Sequence, residues 1–140
     1  MGALVCCQQI LISPGIGAHR DFGFLTMLMQ DQVGGLQVLD AASGEWLDVK
    51  PVQEAYVVNL GNTMMRWTNK KYTSNLRQVM NFSEKERYSI PFFFNGNPNY
   101  MVDCIPGCEG GEDWKMPEKI MIKDYMHEQF SSSYNRVVAK

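Results

Sequence analysis

Short apolar runs separated by turn residues dominate the middle of the chain. Gly34-Gly35 precedes the first run and Ser43-Gly44 precedes the second, which is typical of a β-hairpin. The runs with strand-like composition are Leu36–Leu39, Trp46–Val49, Ala55–Leu60, Arg77–Phe82 and Arg87–Phe94. Short strands punctuated by turns predict a mainly β fold of the sandwich or jelly-roll type.

The C-terminal part of the chain has a different period. Apolar side chains recur there every four residues, at Ile122, Met126 and Phe130, with Tyr125 beside them. This spacing predicts an amphipathic helix over about Glu118–Ser131, and Pro117 suits its first turn. We expect the apolar face of this helix to pack on the sheet rather than to bind a partner.

Length and composition are those of one compact globular domain. The chain has 140 residues, of which 45% are hydrophobic and 20% are charged. The net charge is −2 and no basic cluster follows the chain, so we expect no nucleic-acid partner. The opening stretch MGALVCCQQILI is too short to span a bilayer and lacks the basic start of a signal peptide. We therefore expect a cytoplasmic protein with no membrane partner.

The four cysteines do not form a disulfide framework. Cys6 and Cys7 are neighbours, and Cys104 and Cys108 are too few for a structural zinc site without other ligands. We expect all four to be reduced thiols.

Two pairs of residues carry candidate chemistry. In an extended segment, residues i and i+2 point to the same side, so His19 and Asp21 would project together. An imidazole and a carboxylate are two of the three ligands in the 2-His-1-carboxylate triad that binds Fe(II), although such a pair is also common as a solvated hydrogen bond.

By the same geometry Arg87 and Ser89 would share a strand face and could bind a carboxylate. The alternative is an ion pair between the arginine and Glu84 or Glu86.

A series of motifs places both pairs in a family. In chain order they are His-x-Asp, Gln-Asp, Gly-Leu-Gln-Val, Asn-Leu-Gly, Arg-Trp-Thr-Asn and Arg-Tyr-Ser-Ile-Pro-Phe-Phe. From about Gly15 to Pro106 the chain closely resembles the C-terminal lobe of the Fe(II)/2-oxoglutarate-dependent dioxygenases related to isopenicillin N synthase. The tail helix resembles the end of that family, and the stretch FFFNGNP…CIPGC looks most like fungal members. The resemblance implies a double-stranded β-helix, which is a jelly-roll barrel.

The resemblance also implies roles for single residues. His19 and Asp21 match the first two iron ligands. Arg87 and Ser89 match the pair that binds the distal carboxylate of 2-oxoglutarate. Other residues in the matched region, namely Gln30, Trp67 and Phe92–Phe94, are assigned to the scaffold.

One matched position departs from the family. The family has its second iron-binding histidine where this chain reads Ser-Asn-Leu-Arg-Gln-Val, so Arg77 stands in its place. Arginine has no acceptor atom and stays protonated, so it cannot bind Fe(II) as a ligand. The remaining histidine, His127, lies in the predicted tail helix and matches no ligand position. We predict that Asp21 and Arg77 form an ion pair at the iron position.

The resemblance begins close to the first residue, whereas family members carry a helical region and an early strand before the iron site. We therefore expect residues 1–14 to be a remnant N-terminal segment, 15–106 the jelly-roll domain, and 107–140 an acidic loop with the C-terminal helix. The whole would be a C-terminal lobe alone, as a truncated gene model would give.

The implied activity is that of an oxidoreductase of secondary metabolism. With Fe(II) and 2-oxoglutarate, such an enzyme hydroxylates, desaturates or cyclises a small organic substrate. Two alternatives remain open because of Arg77 and the short N-terminal side. The chain could be a non-catalytic domain that binds a dicarboxylate or a protein, or an inactive fragment.

Overall fold

A computed structural model of the chain describes residues 13–83, 85–110 and 118–138. Its elements in chain order are β1 (Ser13–His19), β2 (Leu25–Gln30), β3 (Leu36–Leu39), β4 (Trp46–Asp48), β5 (Val57–Leu60), α1 (Asn62–Trp67), β6 (Arg77–Asn81), β7 (Ser89–Phe94), β8 (Met101–Val102), β9 (Ile120–Met121) and α2 (Ile122–Val138). One sheet has the strand order β1-β6-β3-β4, and a second has the order β5-β2-β7. All described pairings in these two sheets are antiparallel.

The two sheets share a small hydrophobic core. Leu28 from the second sheet packs with Leu36 and Val79 from the first, and all three are buried. Val49 and Val57 cover the edge of this cluster. Full burial of a Leu or Val side chain contributes about 1.5–3 kcal/mol, so these contacts hold the sheets face to face.

A second cluster closes one end of the sandwich and attaches the C-terminal helix. Phe24, Val102 and Ile122 are buried together, and the Trp67 ring meets Phe24 edge to face with centroids 5.3 Å apart. Ile122 is the first residue of α2, so the predicted packing of the apolar helix face begins at the helix start. Met126, one turn later, packs against the same cluster.

The predicted hairpin is confirmed, since β3 and β4 pair from Gln37 with Asp48 to Leu39 with Trp46. The predicted start of the C-terminal helix is wrong. The helix begins at Ile122 rather than Glu118, because Ile120–Met121 pairs instead with Met101–Val102. Pro117 lies outside the described residues.

Cys104 and Cys108 are free thiols, as expected, and Cys6 and Cys7 lie outside the described residues. Burial, with the nearby Glu109 carboxylate as a smaller cause, raises the pKa of the Cys104 thiol. Among the helices that the structure describes, none is long and apolar enough to cross a membrane.

Candidate metal centre and carboxylate site

The strand register brings His19 and Arg77 to the same place. Their backbones are paired across β1 and β6, and two register shifts in β1 precede this pair. Alternation along β6 buries Arg77 and Val79, which therefore point toward the second sheet. These register shifts bring the end of β1 level with the inward-facing arginine, and such irregularities often re-aim side chains next to functional sites.

The carboxylate of Asp21 is the centre of a buried polar network. Arg77 Nη2 lies 2.5 Å from its Oδ2 and 2.7 Å from its Oδ1. Asn59 Nδ2 donates to Oδ2 over 2.9 Å, and the Thr26 hydroxyl donates to the same oxygen. Arg77 Nη1 also donates to Asn59 Oδ1, which closes the network. The predicted ion pair between Asp21 and Arg77 is therefore confirmed, with each residue only 6% exposed.

His19 lies at the edge of this network. Its Nε2 is 3.6 Å from Asp21 Oδ1, and its Nδ1 is 2.8 Å from the carbonyl oxygen of Gly17. Because a carbonyl only accepts, this contact places a hydrogen on Nδ1, and Nε2 is the ring nitrogen that faces Asp21. The structure thus brings together the imidazole and the carboxylate that the sequence pairs, in an orientation suited to a metal ligand.

The third side chain at this position is a cation. Burial lowers the pKa of the Arg77 guanidinium from its ordinary value, and the Asp21 carboxylate opposes that effect. Within the described ranges no group of three or more His, Cys, Asp or Glu side chains could hold a metal ion. His127 is exposed on α2. A guanidinium in contact with the carboxylate repels Fe(II) and offers it no lone pair, so the residues present do not fit the iron of a facial triad.

A second polar cluster surrounds Arg87, which is 8% exposed. Its Nε donates to the carbonyl oxygen of Gly34 over 2.6 Å. Its Nη1 donates to Ser89 Oγ over 3.0 Å, and its Nη2 donates to Gln30 Oε1 over 3.1 Å. The expected proximity of Arg87 and Ser89 is confirmed, and a guanidinium beside a hydroxyl fits a carboxylate ligand.

The alternative partners of Arg87 are the two glutamates in the loop before β7. Glu86 accepts a hydrogen bond from the Tyr88 hydroxyl, and Glu84 lies outside the described residues. The backbone N–H of Tyr88 donates to Asp31 Oδ2 over 2.5 Å. This contact extends the pairing of β2 with β7 and fixes the segment that carries Arg87.

A cavity of about 800 Å³ opens beside His19 and Asp21. Its walls come from the segment after β1, from β7 and from α2. Aromatic and amide side chains on these walls are Phe22, Phe93, Phe130, Asn62, Asn95 and Gln129. Phe22 and Phe130 meet edge to face with centroids 5.5 Å apart, so α2 forms one wall of the cavity. A cavity of this size holds a small organic molecule.

The family model described as the 2OG-Fe(II) oxygenase superfamily matches residues 7–96. The chain belongs to this superfamily. Members of the superfamily use Fe(II) and 2-oxoglutarate, and the recognition by motif is confirmed.

Fungal proteins are among its relatives. The chain is 54% identical over 129 residues to the 2-oxoglutarate-Fe(II) type oxidoreductase hxnY of Emericella nidulans, covering 91% of this chain and 37% of that protein. It is 40% identical over 121 residues to the 2-oxoglutarate-dependent dioxygenase citB of Monascus ruber, covering 86% of this chain and 36% of that protein. The chain therefore spans little more than a third of the length of these relatives.

Solved structures agree with the fold. A full-length Neurospora crassa protein, crystallised in complex with alpha-KG and thymine, superposes with a TM-score of 0.79 at 32% identity, over 86% of this chain and 38% of that protein. The rice dioxygenase for auxin oxidation has the same TM-score at 33% identity, over 86% of this chain and 42% of the enzyme. The predicted jelly-roll fold with a C-terminal helix is confirmed. The domain boundaries at residues 14–15 and 106–107 stay predictions.

Three residues of the two clusters are not predicted from the sequence. Thr26 and Asn59 bind the Asp21 carboxylate, and Gln30, which the resemblance assigns to the scaffold, contacts Arg87. A signal for two of them exists in the chain, because alternation along β2 gives Thr26 and Gln30 the same face. Asn59 interrupts an apolar strand, and a polar residue at such a place needs a partner.

Proposed function

We propose that this chain is the C-terminal, cofactor-binding lobe of a 2-oxoglutarate- and Fe(II)-dependent oxygenase that oxidises a small organic metabolite. In this lobe Arg77 replaces the second iron-binding histidine. His19 and Asp21 are the two retained iron ligands, and Arg87 with Ser89 binds the distal carboxylate of 2-oxoglutarate. The complete family site hydroxylates, desaturates or cyclises its substrate, and this chain carries an altered version of that site.

The observation that carries the altered site is the contact of Arg77 with Asp21, at 2.5 Å between Nη2 and Oδ2. A carboxylate that already binds a buried guanidinium must give up that partner before it can bind a metal. Removing one partner of a buried ion pair costs about 3–5 kcal/mol, so metal binding carries this penalty in addition to the missing ligand. We therefore expect the chain to bind 2-oxoglutarate without holding iron tightly.

The substrate class follows from the cavity and from the relatives. The cavity of about 800 Å³ combines aromatic walls with amide side chains, which suits a small ring-containing molecule with polar substituents. The Neurospora crassa protein was crystallised with thymine, and a Penicillium crustosum relative is clavatol oxidase, at 34% identity. These proteins support a small organic substrate for the lobe when its site is complete.

The second candidate function is a non-catalytic domain that binds a dicarboxylate. The closed network of Asp21, Arg77 and Asn59 favours it, because every partner in that network is satisfied without a metal. The Arg87 cluster is separate from this network and would keep its carboxylate ligand.

Succinate formation from 2-oxoglutarate, with Fe(II) and ascorbate present, separates the candidates. The native chain is compared with Arg77→His, which supplies the missing imidazole, and with Arg77→Lys, which keeps the cation. We expect Arg77→His to form succinate at least about tenfold faster than the native chain, since the loss even of a group that only supports a metal ligand typically costs about 10–100-fold. Arg77→Lys should be no better than the native chain.

Two results would change this account. Turnover by the native chain equal to that of Arg77→His would show that Arg77 does not limit the site. If all three proteins bind 2-oxoglutarate and none forms succinate, the non-catalytic domain is the function.

A further inference from the structure

We propose that Gln30 is a third donor in the carboxylate site, where its Nε2 binds the distal carboxylate of the ligand and selects it over a neutral group. This inference rests on the proposed binding of 2-oxoglutarate at Arg87 and Ser89. Gln30, although uncharged, would then distinguish a ligand that ends in a carboxylate from one that ends in an uncharged group.

The sheet register places Gln30 beside the other two residues. Gln30 is directly opposite Ser89 across the antiparallel pair of β2 and β7. Arg87 is two residues before Ser89 and donates to both partners, to Gln30 Oε1 over 3.1 Å and to Ser89 Oγ over 3.0 Å. The three side chains therefore form one cluster around a single guanidinium.

The guanidinium fixes the orientation of the Gln30 amide. Arginine carries only donors, so the amide atom that faces it must be the oxygen. The Nε2 group is then turned away from Arg87, and it is buried with no hydrogen-bond partner among the described residues. A buried donor without an acceptor is costly, and native proteins rarely keep one unless a ligand or water completes it. An oxygen of a bound ligand would complete this one.

The donors of the cluster also define the ligand group that it can bind. Ser89 Oγ accepts from Arg87, which leaves its hydroxyl hydrogen available to donate. The Gln30 oxygen accepts from Arg87 as well, so the groups that still need a partner are the donors, above all the buried Gln30 Nε2. An ionised carboxylate has only acceptors and can meet these donors with either oxygen, whereas an amide or an alcohol offers fewer acceptors and brings a donor that the unpaired amide nitrogen cannot receive.

Calorimetric binding of two ligands to the full chain tests the inference. One ligand is 2-oxoglutarate and the other is 2-oxoglutaramate, in which the distal carboxylate is replaced by an amide. Gln30→Met keeps the length of the side chain and removes both the donor and the acceptor of Arg87. Gln30→Glu keeps an acceptor for Arg87 and replaces the donor with an acceptor. Gln78→Met is the control. The Gln78 amide donates to Gln37 within the first sheet, whereas Gln30 lies on the second sheet.

We expect the native chain and Gln78→Met to bind 2-oxoglutarate at least tenfold more tightly than 2-oxoglutaramate. Gln30→Met should lose about tenfold in affinity for 2-oxoglutarate. Gln30→Glu should lose more and should reverse the preference, because its carboxylate accepts from the ligand amide. A residue that only supports the fold would not reverse the preference.

The outcomes separate this inference from the proposed function. Retention of the native affinity and preference by both Gln30 variants overturns the inference, provided that Arg87→Met abolishes 2-oxoglutarate binding. If Arg87→Met binds 2-oxoglutarate like the native chain, the proposed carboxylate site is wrong and the role of Gln30 falls with it. Failure of the native chain to bind 2-oxoglutarate overturns both.

Discussion

Replacing Asp21 with Asn should destabilise the protein far more than the loss of an ordinary surface charge. The substitution leaves the Arg77 guanidinium buried, at 6% exposure, without the carboxylate that lies 2.5 Å from it. It also turns an acceptor of two other hydrogen bonds, from Thr26 and Asn59, into a group that is half donor. Both changes remove favourable contacts and leave buried polar atoms unpaired.

The expected cost follows from the burial of the pair. Removing one partner of a buried ion pair typically costs about 3–5 kcal/mol. For a domain of this size that corresponds to a fall of roughly 10–20 °C in Tm. Replacing both partners by apolar residues, in the double variant Asp21→Leu/Arg77→Met, should recover the part of the loss that comes from the unpaired guanidinium, while Thr26 and Asn59 still lack their partners.

Urea unfolding followed by circular dichroism measures these changes, with a common slope as the sign that the unfolded states are comparable. Lys119→Met is the matched control. Lys119 Nζ lies 2.5 Å from Asp103 Oδ2, but the lysine side chain is 56% exposed, so its loss should be within the scatter of the measurement. If Asp21→Asn costs no more than Lys119→Met, or if the double variant is no more stable than Asp21→Asn, the unpaired buried guanidinium is not the source of the destabilisation.

Two further comparisons test the packing. Gly35 has φ +86°, and a Cβ there would lie 2.3 Å from the Met80 carbonyl oxygen, whereas Gly44 has φ +74° and open space around it. Gly44→Ala should cost about 1–2 kcal/mol for its backbone alone, and Gly35→Ala should cost at least about 1 kcal/mol more because of the collision. Leu36→Ala, at a side chain only 2% exposed, should cost about 2–5 kcal/mol, whereas Leu47→Ala, at 52% exposure, should stay within about 0.5 kcal/mol. Urea unfolding measures all four, and equal costs within either pair would contradict the packing described.

The sequence predicts those strands that are marked by neighbouring turn residues or by a continuous apolar run. The hairpin of β3 and β4 is marked by glycine turns, and the strands β5, β6 and β7 fall within apolar runs. β1 has the sequence Ser-Pro-Gly-Ile-Gly-Ala-His, in which proline and glycine are residues that strands disfavour. Its pairing with β6 comes from tertiary contacts, which local propensity does not encode.

The candidate site is predictable only in part, for a related reason. His19 and Asp21 are two residues apart, and the family motif identifies them. The partners Asn59 and Arg77 are 38 and 56 residues away from Asp21 in the chain. The resemblance predicts the contact with Arg77 because the family brings both positions to one metal. No local pattern predicts the contact with Asn59, since a lone asparagine in an apolar strand does not name its partner.

Under the proposed function, the buried pair supplies at this site the charge balance that a metal supplies in a facial triad. A facial triad holds a divalent cation between an imidazole and a carboxylate, and the loss of one ligand would leave that carboxylate buried. Here the guanidinium of Arg77 supplies the opposing charge, and Asn59 accepts one of its remaining hydrogens. The negative charge of the buried Asp21 carboxylate is therefore balanced by a side chain of the same protein.

Anaerobic titration of Fe(II) into the native chain and into Arg77→His is the most direct test of this claim. Calorimetry gives the affinity of each protein under the same buffer and 2-oxoglutarate concentration. We predict at least tenfold tighter Fe(II) binding by Arg77→His, with one metal per chain. Equal or tighter binding by the native chain would contradict it, because the centre would then hold iron in the presence of the guanidinium.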